Sequence, residues 1–447
     1  MKSNKRLWIS ALSLLMISGI AVGKDDPRIE IKAEHGGYSA TITTQFEVSP
    51  GGDLDMQNLI GDITISGGNK NQVEIIEDFF FDVDIEKEAE SALQRYRARI
   101  TQTGNGIEVF GNQKRRRYVH SSYHVKLPTK FNLEVETMGG EIRLEVLEGQ
   151  AVLETMGGDV EVSDVTGDLD VETAGGEIKV RGVAGEVRAE TAGGDVELWD
   201  ARGGHFKLKT AGGDIVLRSI EGNVDAGTSG GDVEAFQVTG DLDLSTSGGE
   251  ISLREVKGSS HSAETSGGDV EAENVVGDID LRTSGGDVRA TLIAGSVYGR
   301  TSGGDIEIDD VSEDVDVSTA GGCLEFDKVM GRLMGKTSGG NVQARITGKG
   351  MLKEPISLST SGGKISLQLP RDVKATVEAE IEISDHYSDY NIHSEFMLKI
   401  SEDNGKKGDK RWDRSYRRIT ATGDVNGGGP LIYLKTVDGD IFIEERY

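Results

Sequence analysis

Between Thr137 and Gly363 polar and apolar residues change places at nearly every step, in short runs cut by glycine. One copy shows the unit. Asp159-Val160-Glu161-Val162 alternates strictly, Ser163-Asp164-Val165-Thr166-Gly167 reads as a turn, and Asp168-Leu169-Asp170-Val171-Glu172-Thr173 alternates again. A period of two marks a half-buried strand. It places Val160, Val162, Leu169 and Val171 on one face and the carboxylates on the other. Thr173 shares parity with Leu169 and Val171, so its side chain is expected to point inward.

The unit recurs thirteen times: Thr, a small residue (Ala, Ser or Met), Gly-Gly, usually Asp or Glu, then Val, Ile or Leu. The threonines are Thr137, Thr155, Thr173, Thr191, Thr210, Thr228, Thr246, Thr265, Thr283, Thr301, Thr319, Thr337 and Thr360. Nearly every step is 18 or 19 residues, and only the last is longer, at 23. Such a period is the signature of a solenoid. A lone coil buries too few aliphatic side chains to offset the entropy of ordering its backbone, so the coils must stack. The expected fold is all-β: a single-chain, parallel β-helix-like solenoid of about thirteen 18-residue coils with N- and C-terminal caps. Its threonines would form an internal ladder.

The paired glycines imply either positive φ or close approach between neighbouring coils. A second glycine marks the opposite corner at Gly149, Gly167, Gly185, Gly204, Gly222, Gly240, Gly258, Gly277, Gly295 and Gly331, with Glu313 as an exception.

The pattern divides the chain into 1–23, 24–130, 131–370 and 371–447. The first segment reads as a secretory signal: Lys2, Lys5 and Arg6, an apolar run over 7–20, then small residues at Ala21-Val22-Gly23. That run is short for a bilayer span, and no other segment is a candidate. The second segment reads as an N-terminal cap. It holds one displaced coil (Ser49-Pro50-Gly51-Gly52 through Gly61-Asp62-Ile63-Thr64-Ile65), a helix over 86–99, strands over 107–110 and 118–127, and a break at Pro128. The third segment is the array, with single-residue insertions near Gly203 and Ser259 and a longer one over 348–355. The last reads as a C-terminal cap: a strand over 374–383, a polar and aromatic stretch over 384–393, a charged loop over 401–418, and half a coil over 436–443. Caps are expected because an open coil end is an exposed sheet edge.

Acidic residues outnumber basic ones 77 to 49, for a net charge of −28, which argues against a nucleic-acid partner. It favours cationic partners or metal ions. Cys323 is the single cysteine, so no internal disulfide forms; it stands in the slot that holds Asp or Glu elsewhere.

The Thr-(Ala/Ser)-Gly-Gly-Asp-(Val/Ile) array resembles a bacterial putative-adhesin family of exported β-strand-repeat proteins. So do the opening Phe46-Glu47-Val48-Ser49-Pro50-Gly51-Gly52 and the closing Asn426-Gly427-Gly428-Gly429-Pro430 before Gly439-Asp440-Ile441. The resemblance implies an exported β-solenoid at the cell envelope. It carries over no catalytic residues.

The strongest chemical feature is the acidic row after Gly-Gly: Glu141, Asp159, Glu177, Asp195, Asp214, Asp232, Glu250, Asp269, Asp287 and Asp305. Stacked coils would bring these carboxylates about 5 Å apart, where like charges repel. In one reading each Asp accepts backbone N–H bonds within its own turn. In the other the row is a ladder of Ca²⁺ sites, the one candidate cofactor. The calcium nonapeptide is not matched, because here Asp follows Gly-Gly directly.

Two basic clusters interrupt the acidity: Lys114-Arg115-Arg116-Arg117 beside Tyr118, and Lys406, Lys407, Lys410, Arg411, Arg414, Arg417 and Arg418 around Trp412 and Tyr416. They read as solvated loops or as contacts to anionic polymer or headgroups. His386 and His393, near Asp385 and Asp389, match no standard ligand spacing, and His120 and His124 lie too far apart along a strand to share an ion. No nucleophile elbow or phosphate loop is present.

The function expected is a non-enzymatic envelope scaffold or adhesin-like binding module, periplasmic or at the cell surface, engaging a protein or polysaccharide. A Ca²⁺-dependent structural rod and a polysaccharide-acting β-helix enzyme are the rivals. The sequence leaves the oligomeric state open.

Overall fold

The fold was read from a computed structural model that describes residues 27–68, 71–112, 119–347, 352–384, 388–405 and 416–446. The expected signal segment lies outside them. They form 36 strands and one helix, a β-solenoid of parallel coils. The chain divides into two compact units, Met1–Asp225 and Ala226–Tyr447.

In the first unit a coil consists of two strands, such as Val160–Thr166 and Leu169–Thr173. Each pairs in parallel with its equivalent one coil on: Val160 with Ile178, Val162 with Val180, Leu169 with Val187, Thr173 with Thr191. Identical positions therefore stack in columns. The inward columns are aliphatic and buried, and Thr137, Thr155, Thr173, Thr191 and Thr210 are buried with them. The expected threonine column is present.

The stretch read as a turn at 163–167 is mostly strand. Asp164 takes left-handed backbone (φ 56) and bends the strand without ending it. The bend resets the alternation so that Val165 faces the core. The same kink recurs at Val146, Asp200 and Ser219, and at Gly182, where it carries no Cβ penalty.

At the paired glycines close approach, not positive φ, is the recurrent constraint. In the thirteen Thr-x-Gly-Gly copies, among the described residues, only Gly139 and Gly140 have clearly positive φ. A Cβ on Gly158, Gly176 or Gly194 would lie 1.9–2.1 Å from the carbonyl oxygen of the equivalent glycine one coil earlier. At the opposite corner the register corrects one assignment. Ala184 pairs with Arg202, so Gly203, not Gly204, matches Gly185, and the extra residue follows it.

Each threonine hydroxyl ties two coils. Thr173 Oγ1 donates to Gly158 O of the preceding coil (2.9 Å) and accepts the N–H of Gly176 in its own coil (3.2 Å). Thr155, Thr191 and Thr210 do the same.

The displaced coil stacks as expected. Gly52–Leu59 pairs in parallel with Phe131–Thr137, and Asp62–Gly68 with Ile142–Glu148. Beyond it Gly106–Phe110 and Val119–Pro128 add one more parallel layer. That strand ends at Pro128, the expected break, and the next begins at Phe131. The order then turns antiparallel through Arg99–Thr103 on one side. On the other it runs through Gln72–Phe81, Gly37–Glu47 and Arg28–Glu34. The edge strand Arg28–Glu34 alternates with Arg28, Glu30, Lys32 and Glu34, charges that discourage further pairing. The helix Glu86–Tyr96 ends three residues before the expected limit. It buries Ala89 and Leu93 against Ala40, Ile42, Phe79 and Phe81.

The second unit repeats the construction. Thr246, Thr265, Thr283, Thr301, Thr319, Thr337 and Thr360 each donate to a glycine carbonyl of the preceding coil at 2.8–2.9 Å. The insertion at Ser259 appears as a bulge between Lys257 and Ser260; 348–351 lie outside the described residues. The closing segment holds a whole coil, not half of one: Leu431–Val437 pairs in parallel with Ile356–Ser359, and Ile441–Arg446 with Ile365–Pro370. Thr436 Oγ1 extends the ladder to Gly363 O at 2.7 Å. Ala375–Ile383 stacks next, as expected for a strand there. The expected loop over 401–418 is in part a hairpin, Lys399–Gly405 against Tyr416–Val425. Alternation there was masked by charge: Ser401 and Thr420 pair their hydroxyls, and Glu402 holds Arg417.

Gly268 O carries both constraints at one atom, since Thr283 Oγ1 donates to it at 2.8 Å and a Cβ on Gly286 would lie 2.1 Å away. Thr283→Val should cost about 1–3 kcal/mol by orphaning that carbonyl and the Gly286 N–H, and Thr283→Ser far less. Gly286→Ala should cost at least the ~3 kcal/mol upper range of overpacking. Gly285→Ala, whose Cβ clears the nearest carbonyl by 3.3 Å, should be milder. Urea denaturation of the four variants checks the order.

Candidate functional site

The acidic row occupies one corner of the coils in each unit. At six of the aspartates, Oδ1 accepts the backbone N–H of the equivalent residue one coil on. Asp159 takes Glu177 N at 2.9 Å and Asp195 takes Asp214 N at 2.8 Å. In the second unit Asp232 takes Glu250 N (2.7 Å), Asp269 takes Asp287 N (2.8 Å), Asp287 takes Asp305 N (2.7 Å) and Asp305 takes Cys323 N (2.6 Å). The expected bond within the turn is thus a bond between coils. Close glycine packing brings the next N–H within reach of a one-carbon side chain.

Glutamates in the row behave differently. Glu141 pairs with Arg143 at 2.6 Å and Glu177 with Lys179 at 2.8 Å. Glu250 has its pKa pushed up, first by burial and then by Asp232, Asp269 and Glu271. Among the described residues no group of three or more His, Cys, Asp or Glu side chains is placed to hold a metal ion.

A second row escaped the sequence reading. At the opposite corner Asp168 takes Glu186 N (3.1 Å), Asp278 takes Ser296 N (2.9 Å) and Asp314 takes Arg332 N (2.9 Å). The signal was available: Gly167-Asp168 and Gly277-Asp278 repeat the Gly-Asp step of the first corner.

The outward columns are charged. In the first unit Glu136, Glu154 and Glu172 stack in register. Burial, then Glu172, Glu136, Asp170 and Glu134, raises the pKa of Glu154. In the second unit a groove of about 210 Å³ runs between the corner row and the column Glu271, Arg289, Glu307, Glu325. Arg289 bridges that column, 3.0 Å from Glu307 and 3.8 Å from Glu271. Cys323 is exposed at the groove as a free thiol. These half-exposed pairs contribute little stability singly; their effect is to tie neighbouring coils and dilute the repulsion.

Of the basic clusters, Lys114, Arg115, Arg116, Arg117 and Tyr118 lie outside the described residues, as do Lys406, Lys407, Lys410, Arg411, Trp412 and Arg414. Arg417 and Arg418 are described, and strand carboxylates hold them: Glu402 at 2.7 Å, and Glu382 and Glu380 at 3.4 and 3.6 Å. His386 and Asp385 are outside the described residues. His393 stacks on Phe442, with ring centres 4.8 Å apart. His124 lies 3.9 Å from Asp78 and His120 beside the ring of Phe80.

The family model described as Toastrack DUF4097 matches residues 60–259 and 240–426, most of the chain. This chain belongs to the Toastrack DUF4097 family. None of the curated proteins matches it. Two solved structures are similar to it at a low level. A putative adhesin from Bacteroides fragilis is 15% identical, covers 52% of this chain and 96% of its own, and has a TM-score of 0.28. A putative cell adhesion protein from Clostridium sporogenes is 9% identical, covers 94% and 100%, and has a TM-score of 0.16. Membership of the Toastrack family rests on the sequence match alone.

One buried group of this Toastrack chain was also missed. His261 stands in an inward column between Leu242 and Ile279 and is 1% exposed. Its Nε2 lies 3.1 Å from Val276 O, while Nδ1 has no partner among the described residues. Burial lowers its pKa, outweighing the Val276 carbonyl and Asp241, which favour the cation. Asp241 is in turn held down by the N–H groups of Ser259 and Ser260. The signal was available: before Thr265, His261 and Ala263 hold the places that Leu169 and Val171 hold before Thr173.

Two predictions follow from this geometry. Asp287→Ala should cost about 1 kcal/mol by freeing the Asp305 N–H. Asp287→Asn keeps the acceptor and removes a like charge, so it should match or exceed the parent, and EDTA should leave the parent's melting temperature unchanged. His261 is neutral in both folded and unfolded chains well above its ordinary pKa of 6.5. Below that the unfolded chain takes up the proton first, so stability is lost as pH falls from about 6.5. Denaturation of the parent against His261→Leu between pH 8 and 5 should show a gap that moves in the variant's favour on acidification.

Proposed function

We propose that the protein is a non-enzymatic, exported β-solenoid that serves as an envelope scaffold or adhesin-like binding module. The observation that carries this reading is the shortness of the corners. Strand follows strand across Met156 to Asp159 on one side and Gly167-Asp168 on the other, and hydrogen bonds to the adjoining coils hold both steps. Faces built this way stay flat, with side chains in straight columns, and suit an extended partner such as a surface protein or polysaccharide. A polysaccharide-cleaving β-helix needs loops that stand off one face to build a cleft. Family membership and the signal-like sequence of 1–23 agree with export. No helix among the described residues is long and apolar enough to cross a membrane.

The test is in two parts. Fractionation of the native cell should recover the protein from the envelope or the medium, and purified protein incubated with acidic and neutral polysaccharides should release no new reducing ends. Recovery from the cytosol, or turnover of any polysaccharide, would overturn the reading.

A further inference from the structure

In the unit Met1–Asp225 a pocket of about 420 Å³ gathers positive charge in a chain whose net charge is −28. It forms where the helix ends. Arg95 stands in the last helical turn, Arg97 caps the helix in extended backbone (φ −59, ψ 146), and Arg99 opens the following strand. All three line the pocket with Gln94, Asn58 and Phe110. The Arg97 N–H donates to Leu93 O at 3.0 Å, and the Arg95 carbonyl accepts Asn112 Nδ2 at 2.8 Å. A Cβ on Gly111 would lie 2.2 Å from Asn58 O. Helix end and strand ends are therefore pinned together, and the pocket is built into the backbone.

The charges in it are unanswered. Arg143, Arg188, Arg289 and Arg345 all hold carboxylates. The guanidinium groups of Arg95, Arg97 and Arg99 hold none among the described residues; that of Arg99 lies 5.5 Å from the Phe110 ring centre. Favourable interaction with the helix C-terminus accounts for Arg95 and the Phe110 ring for part of Arg99, but neither supplies a counter-charge and neither serves Arg97. Three cations converging on one space repel one another unless an anion joins them. The guanidinium fork matches carboxylate and phosphate oxygens. Phe110 is 43% exposed beside them, an apolar face at the pocket wall, and the amide of Gln94 can bond hydroxyls.

We propose that this pocket binds an anionic sugar unit, a uronate or a sugar phosphate, with its charge on the arginines and its ring against Phe110. A bare inorganic anion would leave the aromatic face and the Gln94 amide unused. The inference goes beyond the binding-module reading and does not depend on it, because the pocket would exist equally in a purely structural solenoid.

The test is calorimetric titration of the full chain at low salt with trigalacturonic acid, glucose 1-phosphate, inorganic phosphate and maltotriose. At least one anionic sugar should bind, more weakly as NaCl is added. Arg97→Gln/Arg99→Gln should weaken it at least ten-fold, with unchanged circular dichroism and melting temperature. Should that variant fail to fold, exposed Arg95→Gln serves in its place and should weaken binding at least three-fold. Phe110→Ala should weaken the sugar and leave any binding of inorganic phosphate unchanged. The proposal is overturned if neither anionic sugar binds, if the arginine variants bind as the parent does, or if inorganic phosphate or maltotriose binds as tightly as the anionic sugars.

Discussion

One backbone atom per coil governs the stack: the carbonyl oxygen of the second glycine. The next coil's threonine hydroxyl reaches it at 2.8–3.0 Å, and the next coil's glycine passes so close that any Cβ would collide with it. The two requirements enforce each other. Glycine lets the strands approach, approach brings the hydroxyl within bonding range, and the hydroxyl also takes the N–H that the glycine turn leaves free. A buried, fully used hydroxyl fixes register far more sharply than an aliphatic residue could, because a slip of one residue would strand donor and acceptor in the core.

Close stacking creates a charge problem and supplies part of its answer. Carboxylates stacked at successive corners repel one another, but the same spacing delivers a backbone N–H to the Oδ1 of Asp159, Asp232, Asp269 and Asp287. The row is thereby a set of clips between coils. Glutamate is too long for the clip and turns outward to Arg143 or Lys179. In the outward column, burial and then the stacked carboxylates raise the pKa of Glu154.

The ends of the array obey a different constraint. A parallel coil offers unpaired N–H and C=O groups that would accept another strand. The N-terminal elements change to antiparallel pairing, finish on the charged strand Arg28–Glu34 and cover one face with a helix. The C-terminal elements likewise end on a hairpin. In both places a displaced coil continues the parallel stack before the pairing changes sense. The arginine pocket lies among these irregular elements, where backbone geometry varies enough to make a concavity.

The sequence by itself determined the period, the inward threonines and the displaced coil near Gly52, because alternation and spacing are local properties that stacking merely repeats. It determined the helix for the same reason. Tertiary structure decided what each repeated residue bonds to. Asp287 and Thr283 both act on a neighbouring coil, 18 and 15 residues away in sequence, beyond the reach of local alternation. It also decided which of Gly203 and Gly204 turns the corner, and that Leu431–Arg446 closes a full coil. Each depends on register between strands, which is set by the packed columns and not by the order of residues within one strand.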